Sequence, residues 1–213
     1  MAEKVRVKIC GITNKEDALS AVFYGASALG FVFYKNSPRF ISPSRVRKII
    51  EQLPPFVIPV GVFVNQKEGA IRDICGFTHI HTIQLHGEET PQSCIRLKDY
   101  TIIKGFRIQD SFDFNQVTQY NVDAYLFDAY QENIPGGTGK TFPWEILNGQ
   151  KFKKPFILAG GLNKENISQA LKMVSPYAVD ISSAVEKSPG VKDARLIREF
   201  FDTLNSESFL NKG

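Results

Sequence analysis

Cysteine is scarce in this chain: Cys10, Cys75 and Cys94 are the only three in 213 residues. An odd number with no Cys-x-x-Cys or other ligand-like spacing excludes a disulfide framework and a thiolate metal cluster. Reduced thiols in a cytoplasmic protein are the expectation. Long apolar runs are missing as well. No stretch approaches the roughly 18 uncharged apolar residues of a membrane-crossing helix. The start Met1-Ala2-Glu3-Lys4-Val5 has no apolar region of signal-peptide type, so no membrane association is expected. The charge excess is small, formally +4 from 26 basic and 22 acidic residues. With no long Lys/Arg run, that balance argues against nucleic acid and suits a small anionic substrate. Sixteen glycines and eleven prolines are near average usage, which excludes collagen-like and low-complexity chains. What is abundant is apolar: 43% of the residues, enough over this length to bury a large core and exclude disorder.

Those apolar residues recur as short runs at Val5–Cys10, Ala28–Tyr34, Val57–Val64, Thr82–His86, Thr101–Ile108, Ala124–Ala129, Phe156–Gly161 and Ala178–Ser183. Their starts lie roughly 25 residues apart, the length of a strand, a crossover helix and two short loops. Helix signals fill the intervals. Thr13-Asn14-Lys15-Glu16 reads as a capping box ahead of Ala18, Leu19, Val22, Phe23 and Ala26 at helical spacing. Ser42 precedes Pro43, Asn65 precedes Glu68, Thr90 precedes Pro91, Asn163 precedes Ile167, and Asp193 precedes Leu196 and Ile197. The intervals near Phe114–Tyr120 and Trp144–Leu147 carry weaker signals, and the sixth helix should be short. Eight strand–helix units predict a single-domain α/β fold, a parallel (β/α)8 TIM barrel, rather than a doubly wound sheet of five or six strands. The barrel is expected over residues 1–205, with a polar C-terminal tail over 206–213.

In such a barrel the residues just after each strand share one face, where the chemistry resides. Those positions hold Cys10, Ser37-Pro38-Arg39, Asn65, His86, Arg107 with Asp110, Asp128, Gly160-Gly161 and Ser182-Ser183. Strand parity puts Val5, Val7 and Ile9 against the helices, so Lys8 and Cys10 point inward. A buried Lys8 needs a partner, for which Asp180 is the candidate, and it would favour the Cys10 thiolate. Leu126 and Asp128 share a face opposite Tyr125 and Phe127, which directs the carboxyl inward. Arg39 offers a planar fork for a carboxylate. His86 alone reads as a hydrogen-bonded structural histidine, and Cys75 and Cys94 read as buried helix residues. Gly160-Gly161 and Asp180-Ile181-Ser182-Ser183-Ala184 occupy loops seven and eight, the usual phosphate position. Gly136-Gly137-Thr138-Gly139-Lys140-Thr141 is no Walker A loop, because Ile134 stands where its first glycine is required. It reads instead as a glycine-hinged loop over the site.

These residues resemble the phosphoribosylanthranilate isomerase family of tryptophan biosynthesis over nearly the whole chain. The matching segments are Lys8-Ile9-Cys10-Gly11-Ile12-Thr13, Gly30-Phe31-Val32-Phe33 with Ser37-Pro38-Arg39, Val60-Gly61-Val62-Phe63, Gln84-Leu85-His86-Gly87 and Phe127-Asp128. They continue with Gly136 to Phe142 and Trp144, Ala159-Gly160-Gly161-Leu162, Val185-Glu186, Pro189-Gly190 and Lys192-Asp193. The resemblance implies a cofactor-free and metal-free Amadori rearrangement of N-(5′-phosphoribosyl)anthranilate. Cys10 would be the general base and Asp128 the general acid. Arg39 would hold the anthranilate carboxylate, and loops seven and eight the phosphate. The substrate-binding set is then Arg39, Lys8, Gln84, His86, Gly160, Gly161, Asp180, Ser182 and Ser183. A monomer and a homodimer both remain open. Two positions depart from the family pattern. Ala184 stands in place of a glycine, where a positive φ would cost about 1 kcal/mol or more. Pro143 stands in place of an aspartate.

Reference pKa values oppose the acid–base assignment. A free thiol is about 3% ionised at pH 7 and a free aspartate about 0.1% protonated, so populating both active forms costs roughly 6 kcal/mol. Burial of Asp128 and a cation at Lys8 are the expected remedies. Three rival functions are weighed against this one. Histidine-pathway isomerases of the same kind pair two aspartates at strands one and six, where this chain has Cys10 at the first. A catalytically inactive phosphosugar-binding barrel serving as regulator or scaffold would have no need of Cys10, Asp128 and Arg39 together. A thiol oxidoreductase would need a resolving cysteine.

Overall fold

Side-chain alternation on the first strand, β1 (Arg6–Cys10), divides the molecule into its layers. Val7 and Ile9 join the apolar layer beneath the helices, while Lys8 turns inward to meet Asp180 of the last barrel strand. The structure is a computed structural model that describes residues 5–109, 112–129 and 143–210, with side chains up to residue 206. Seven further strands follow: β2 (Ala28–Val32), β3 (Ile58–Phe63), β4 (Thr82–Leu85), β5 (Thr101–Ile108), β6 (Ala124–Ala129), β7 (Phe156–Leu158) and β8 (Ala178–Ile181). All are parallel and lie in chain order, and the β8–β1 pairing closes the barrel. A separate inner cluster including Val60, Ile103, Leu126 and Ile157 plugs its centre.

The helices are α1 (Lys15–Tyr24), α2 (Pro43–Ile50), α3 (Glu68–Thr78), α4 (Pro91–Arg96), α5 (Ile167–Val174) and α6 (Ala194–Leu210). Short 3-10 turns at Phe114–Gln119 and Trp144–Leu147 take the fifth and sixth intervals, in keeping with the weak signals there. Such turns bury little surface, and a ring cluster covers the barrel beside them. Phe127 packs on Phe152 at 4.9 Å and on Phe114 at 5.9 Å between centroids.

Three expected caps are displaced. Asn14, not Thr13, caps α1 by accepting from the Asp17 N–H, while the Thr13 hydroxyl donates to the Gly190 carbonyl. Asn65 sits at φ 50 and accepts from the Glu88 N–H, leaving Lys67 at the N-cap of α3. Asn163 closes an Asx turn by accepting from the Glu165 and Asn166 N–H groups, so α5 begins after Asn166. In each case a side chain of capping type is used in loop geometry that local sequence does not specify. Thr90 and Asp193 cap as expected, and Ser42 holds the N-cap position without a side-chain bond. Two features extend the sequence reading. α6 continues through residues 206–210, and a hairpin of β9 (Glu186–Ser188) and β10 (Val191–Lys192) is inserted before it.

On the outer face of β5, Lys104 forms a buried pair with Glu89 at 2.9 Å and donates to the Gly87 carbonyl at 2.7 Å. Glu89 in turn accepts from the Asn65 and Gly87 N–H groups, which ties the loops after β3 and β4 together. Removing one partner of a buried pair strands the other charge, so Lys104→Met should lower unfolding free energy by about 3–5 kcal/mol. A denaturant midpoint equal to that of the parent would refute the clamp.

Candidate active site

The inward residues at the C-terminal ends of the strands line one open pocket, about 740 Å³ with the solvent at its mouth included. Cys10 reaches it at the end of β1, opposite Gly30 in register. A methyl group on Gly30 would stand 2.7 Å from the Cys10 Sγ, so the thiol rests on bare backbone. Behind it Lys8 pairs with Asp180 at 2.8 Å, both nearly buried. Burial pushes the Cys10 thiol above its ordinary value, and the pull of Lys8 and of Lys192 does not overcome it. Lys8 pulls the thiol down in the expected direction, but it does not hold a thiolate against burial, because desolvation prevails and Asp180 neutralises part of the lysine's charge. Burial also pushes Asp180 up against the attraction of Lys8. For Lys8, burial acts downward, yet Asp180 and the thiol hold it above the usual lysine range.

Asp128 arrives from β6 with Leu126 on the inner face, as parity requires. Its Oδ2 lies 3.2 Å from His86 Nε2, and His86 Nδ1 lies 2.9 Å from Gln84 Nε2. Asp128 is 6% exposed. Gly160, at φ 83, makes this approach possible. A Cβ there would lie 2.5 Å from the Ala129 nitrogen and 2.8 Å from Asp128 Oδ1, so an alanine would be strained and would displace the carboxyl. Gly160 and Gly161 turn the chain away at the mouth of β7, and for that reason the strand ends at Leu158 rather than at the end of the apolar run. Ser182 and Ser183 line the same side of the pocket. Ala184 lies in a short 3-10 turn, Ser183–Val185, without positive φ, so its methyl carries no backbone strain.

Arg39 reaches the pocket from the loop after β2, with its fork held by Glu186. Nε donates to Oε1 at 3.0 Å and Nη2 to Oε2 at 2.7 Å. Burial pushes the Glu186 carboxyl up, but the bonds from Arg39 and Lys192 outweigh it and hold the group below its usual range. Glu186 and Lys192, both in the β9–β10 hairpin, join the site without a signal along the chain. No periodicity or strand-end rule marks them, since only the docking of the hairpin brings them here.

Gln84, His86, Asp180 and Ser37 also line the pocket, and Val32, Val62 and Val64 supply an apolar wall. Lys8 lies behind that lining. Asn65 and Arg107 are outside it: Asn65 braces its loop, and Arg107 lies 3.6 Å from Glu88. Asp110 and the Gly136–Thr141 loop lie outside the described residues. Two buried acceptors on the pocket wall, Gln84 Oε1 and Asp180 Oδ1, have no hydrogen-bond partner among the described residues. No group of three or more His, Cys, Asp or Glu there could hold a metal ion, and no helix there is long and apolar enough to cross a membrane. Burial raises the Cys75 and Cys94 thiols to about 12 and about 11, the inert condition expected of helix cysteines.

An eight-stranded parallel barrel with a thiol, a carboxyl–imidazole pair and small-residue loops at one mouth has the design of a barrel enzyme of the acid–base class. Residues 7–203 match the sequence profile of N-(5′-phosphoribosyl)anthranilate (PRA) isomerase, and the chain belongs to that family. Among its relatives, the N-(5′-phosphoribosyl)anthranilate isomerase of Geobacter metallireducens is 49% identical over 196 residues, covering 92% of this chain and 96% of that protein. The crystal structure of phosphoribosyl anthranilate isomerase from Thermotoga maritima superposes with a TM-score of 0.88 at 41% identity, covering 95% of this chain and 99% of that one. A further crystal structure of the isomerase, in complex with reduced 1-(o-carboxyphenylamino)-1-deoxyribulose 5-phosphate, matches with a TM-score of 0.83 at 39% identity over the same shares of the two chains.

Proposed function

We propose that this chain converts N-(5′-phosphoribosyl)anthranilate into 1-(2-carboxyphenylamino)-1-deoxyribulose 5-phosphate in tryptophan biosynthesis, with Asp128 as general acid and Cys10 as general base. The observation that carries the reading is the presence of both groups on the wall of one pocket, between the Gly160-Gly161 turn and Arg39. The family membership supports the reaction, and the bound product analogue of the relative supports the substrate class.

The chemistry follows from the groups. A proton from Asp128 to the furanose oxygen breaks the C1′–O bond, and the anthranilate nitrogen takes up the resulting charge as an iminium. That cation acidifies the C2′ hydrogen, which Cys10 removes. The electron pair closes the C1′–C2′ double bond of an enolamine, and tautomerisation delivers a proton to C1′ and leaves the ketone at C2′. Nothing is oxidised or reduced overall. The free edge of the Arg39 guanidinium would take the anthranilate carboxylate, and the backbone of loops seven and eight the phosphate. Gln84 Oε1 and Asp180 Oδ1 are acceptors awaiting donors, a role that fits the sugar hydroxyls. His86, bonded to Asp128 and Gln84, orients the acid and lies within reach of the substrate. The site is assigned to a cytoplasmic enzyme acting as monomer or homodimer.

Purified protein given freshly made substrate should quench the substrate's anthranilate fluorescence with conversion to a product of the same mass. Binding of the product analogue without turnover would overturn the catalytic reading and leave an inactive phosphosugar-binding barrel.

A further inference from the structure

A fully buried lysine, Lys192 of β10, lies behind the Cys10 backbone, and neither the acid–base chemistry nor the phosphate loops require it. Its Nζ donates to the Cys10 carbonyl, to the Ser182 carbonyl at 3.2 Å and to Glu186 Oε1 at 2.8 Å. Glu186 in turn clamps the Arg39 fork and accepts from the Gly190 N–H. One ammonium thus joins the strand end that carries the base, the loop at the phosphate end and, through a carboxylate, the arginine at the carboxylate end. The hairpin is docked independently of that charge, because Asp17 of α1 accepts from the Lys192 backbone N–H at 2.7 Å.

We propose that Lys192 is a positioning residue that sets the spacing of the three subsites through its bonds and favours ionisation of Cys10 through its charge. The charged groups around the thiol are Lys8 on β1, Asp180 on β8 and Lys192 on β10, with Glu186 and Arg39 beyond. Lys8 and Asp180 offset one another directly. Arg39, Glu186 and Lys192 together leave one positive charge in excess, which lowers the cost of ionising the thiol without overcoming its burial. Burial pulls Lys192 below the usual lysine range, while Glu186 and the thiol oppose that pull. A buried ammonium persists only with such partners.

The inference rests on reading Cys10 as the base, but its test does not need turnover. Peptide-resolved iodoacetamide alkylation across pH measures the Cys10 midpoint separately from Cys75 and Cys94. In Lys192→Met the midpoint should rise by about one pH unit, the usual effect of removing a nearby opposite charge. The alkylation rate at neutral pH should then fall about tenfold, with kcat/KM falling in step. Lys192→Arg should stay close to the parent. Asp17→Asn, which weakens the bond that docks the hairpin and leaves the Lys192 ammonium in place, should not raise the midpoint. Lys192→Gln keeps a donor and removes only the charge, and is to be measured if the Met variant does not fold.

An unchanged midpoint in a folded neutral variant would overturn the proposal. So would an equal shift in Asp17→Asn, or failure of both neutral variants to fold, since the lysine would then serve stability alone. A parent that alkylates normally but does not turn over substrate would count against the proposed function and not against this role.

Discussion

Cys10→Ala should fold, bind the reduced product analogue with near-parental affinity, and turn over substrate more slowly by a factor of about 10²–10⁴, the range attributed to a positioned proton-transfer group. The substitution removes one sulfur from a place where Gly30 leaves bare backbone. Lys8 keeps its bond to Asp180, so no buried charge loses its partner. The carboxylate and phosphate subsites do not involve the thiol, which is why binding should survive. Cys10→Ser should not restore the rate, because a hydroxyl ionises far less readily than a thiol. Fluorescence-monitored turnover beside calorimetric titration of the analogue separates the two effects. Full activity in Cys10→Ala would end the assignment of the base.

Asp128→Asn should cost kcat by a similar factor of about 10²–10⁴ while KM changes little. The amide keeps the volume of the carboxyl and can still accept from His86, whose ring stays anchored to Gln84. What it lacks is a proton to give to the furanose oxygen. Ring opening precedes loss of the C2′ hydrogen, so deuterium exchange at C2′ should disappear together with turnover. The alkylation midpoint of Cys10 should stay where it is, since Lys8, Asp180 and Lys192 are the charges that act on the thiol. Continued C2′ exchange at the parental rate would show that the acid lies elsewhere.

Burial holds the proton on Cys10, so the base works from a minor ionised fraction at neutral pH. Because its folded-state value is raised, the thiol's contribution to stability is complete below the unfolded thiol value and is lost as pH rises through the folded one. Glu186 behaves in the opposite sense. Its depressed value gives stability that is present above the unfolded carboxyl value and lost as pH falls through the folded one.

Much of this site is legible along the chain because a parallel barrel converts local order into position. Lys8 and Cys10 are two residues apart, so parity alone puts them on one face, and Asp128 follows Leu126 inward in the same way. Gly160-Gly161 announces a turn that only residues without a Cβ can make. The helix starts at Asn14, Lys67 and Asn166 show the limit of local signals, since loop geometry decides where each helix begins, and only Asn14 caps with its side chain. The Arg39–Glu186 clamp was not legible at all: its partners are 147 residues apart and neither lies on a strand of the barrel.

Composition and hydrophobic rhythm by themselves determined an eight-unit α/β barrel and the inward-facing strand-end residues, because a strand's two-residue period and a crossover's length are local properties of the chain. Only the tertiary structure decided which charges meet, that burial outweighs Lys8 at the thiol, and that Lys192 and Glu186 tie the end of β1 to Ser182 and Arg39. Desolvation and ion pairing depend on the atoms that surround a group in space, and residues distant in sequence supply most of them.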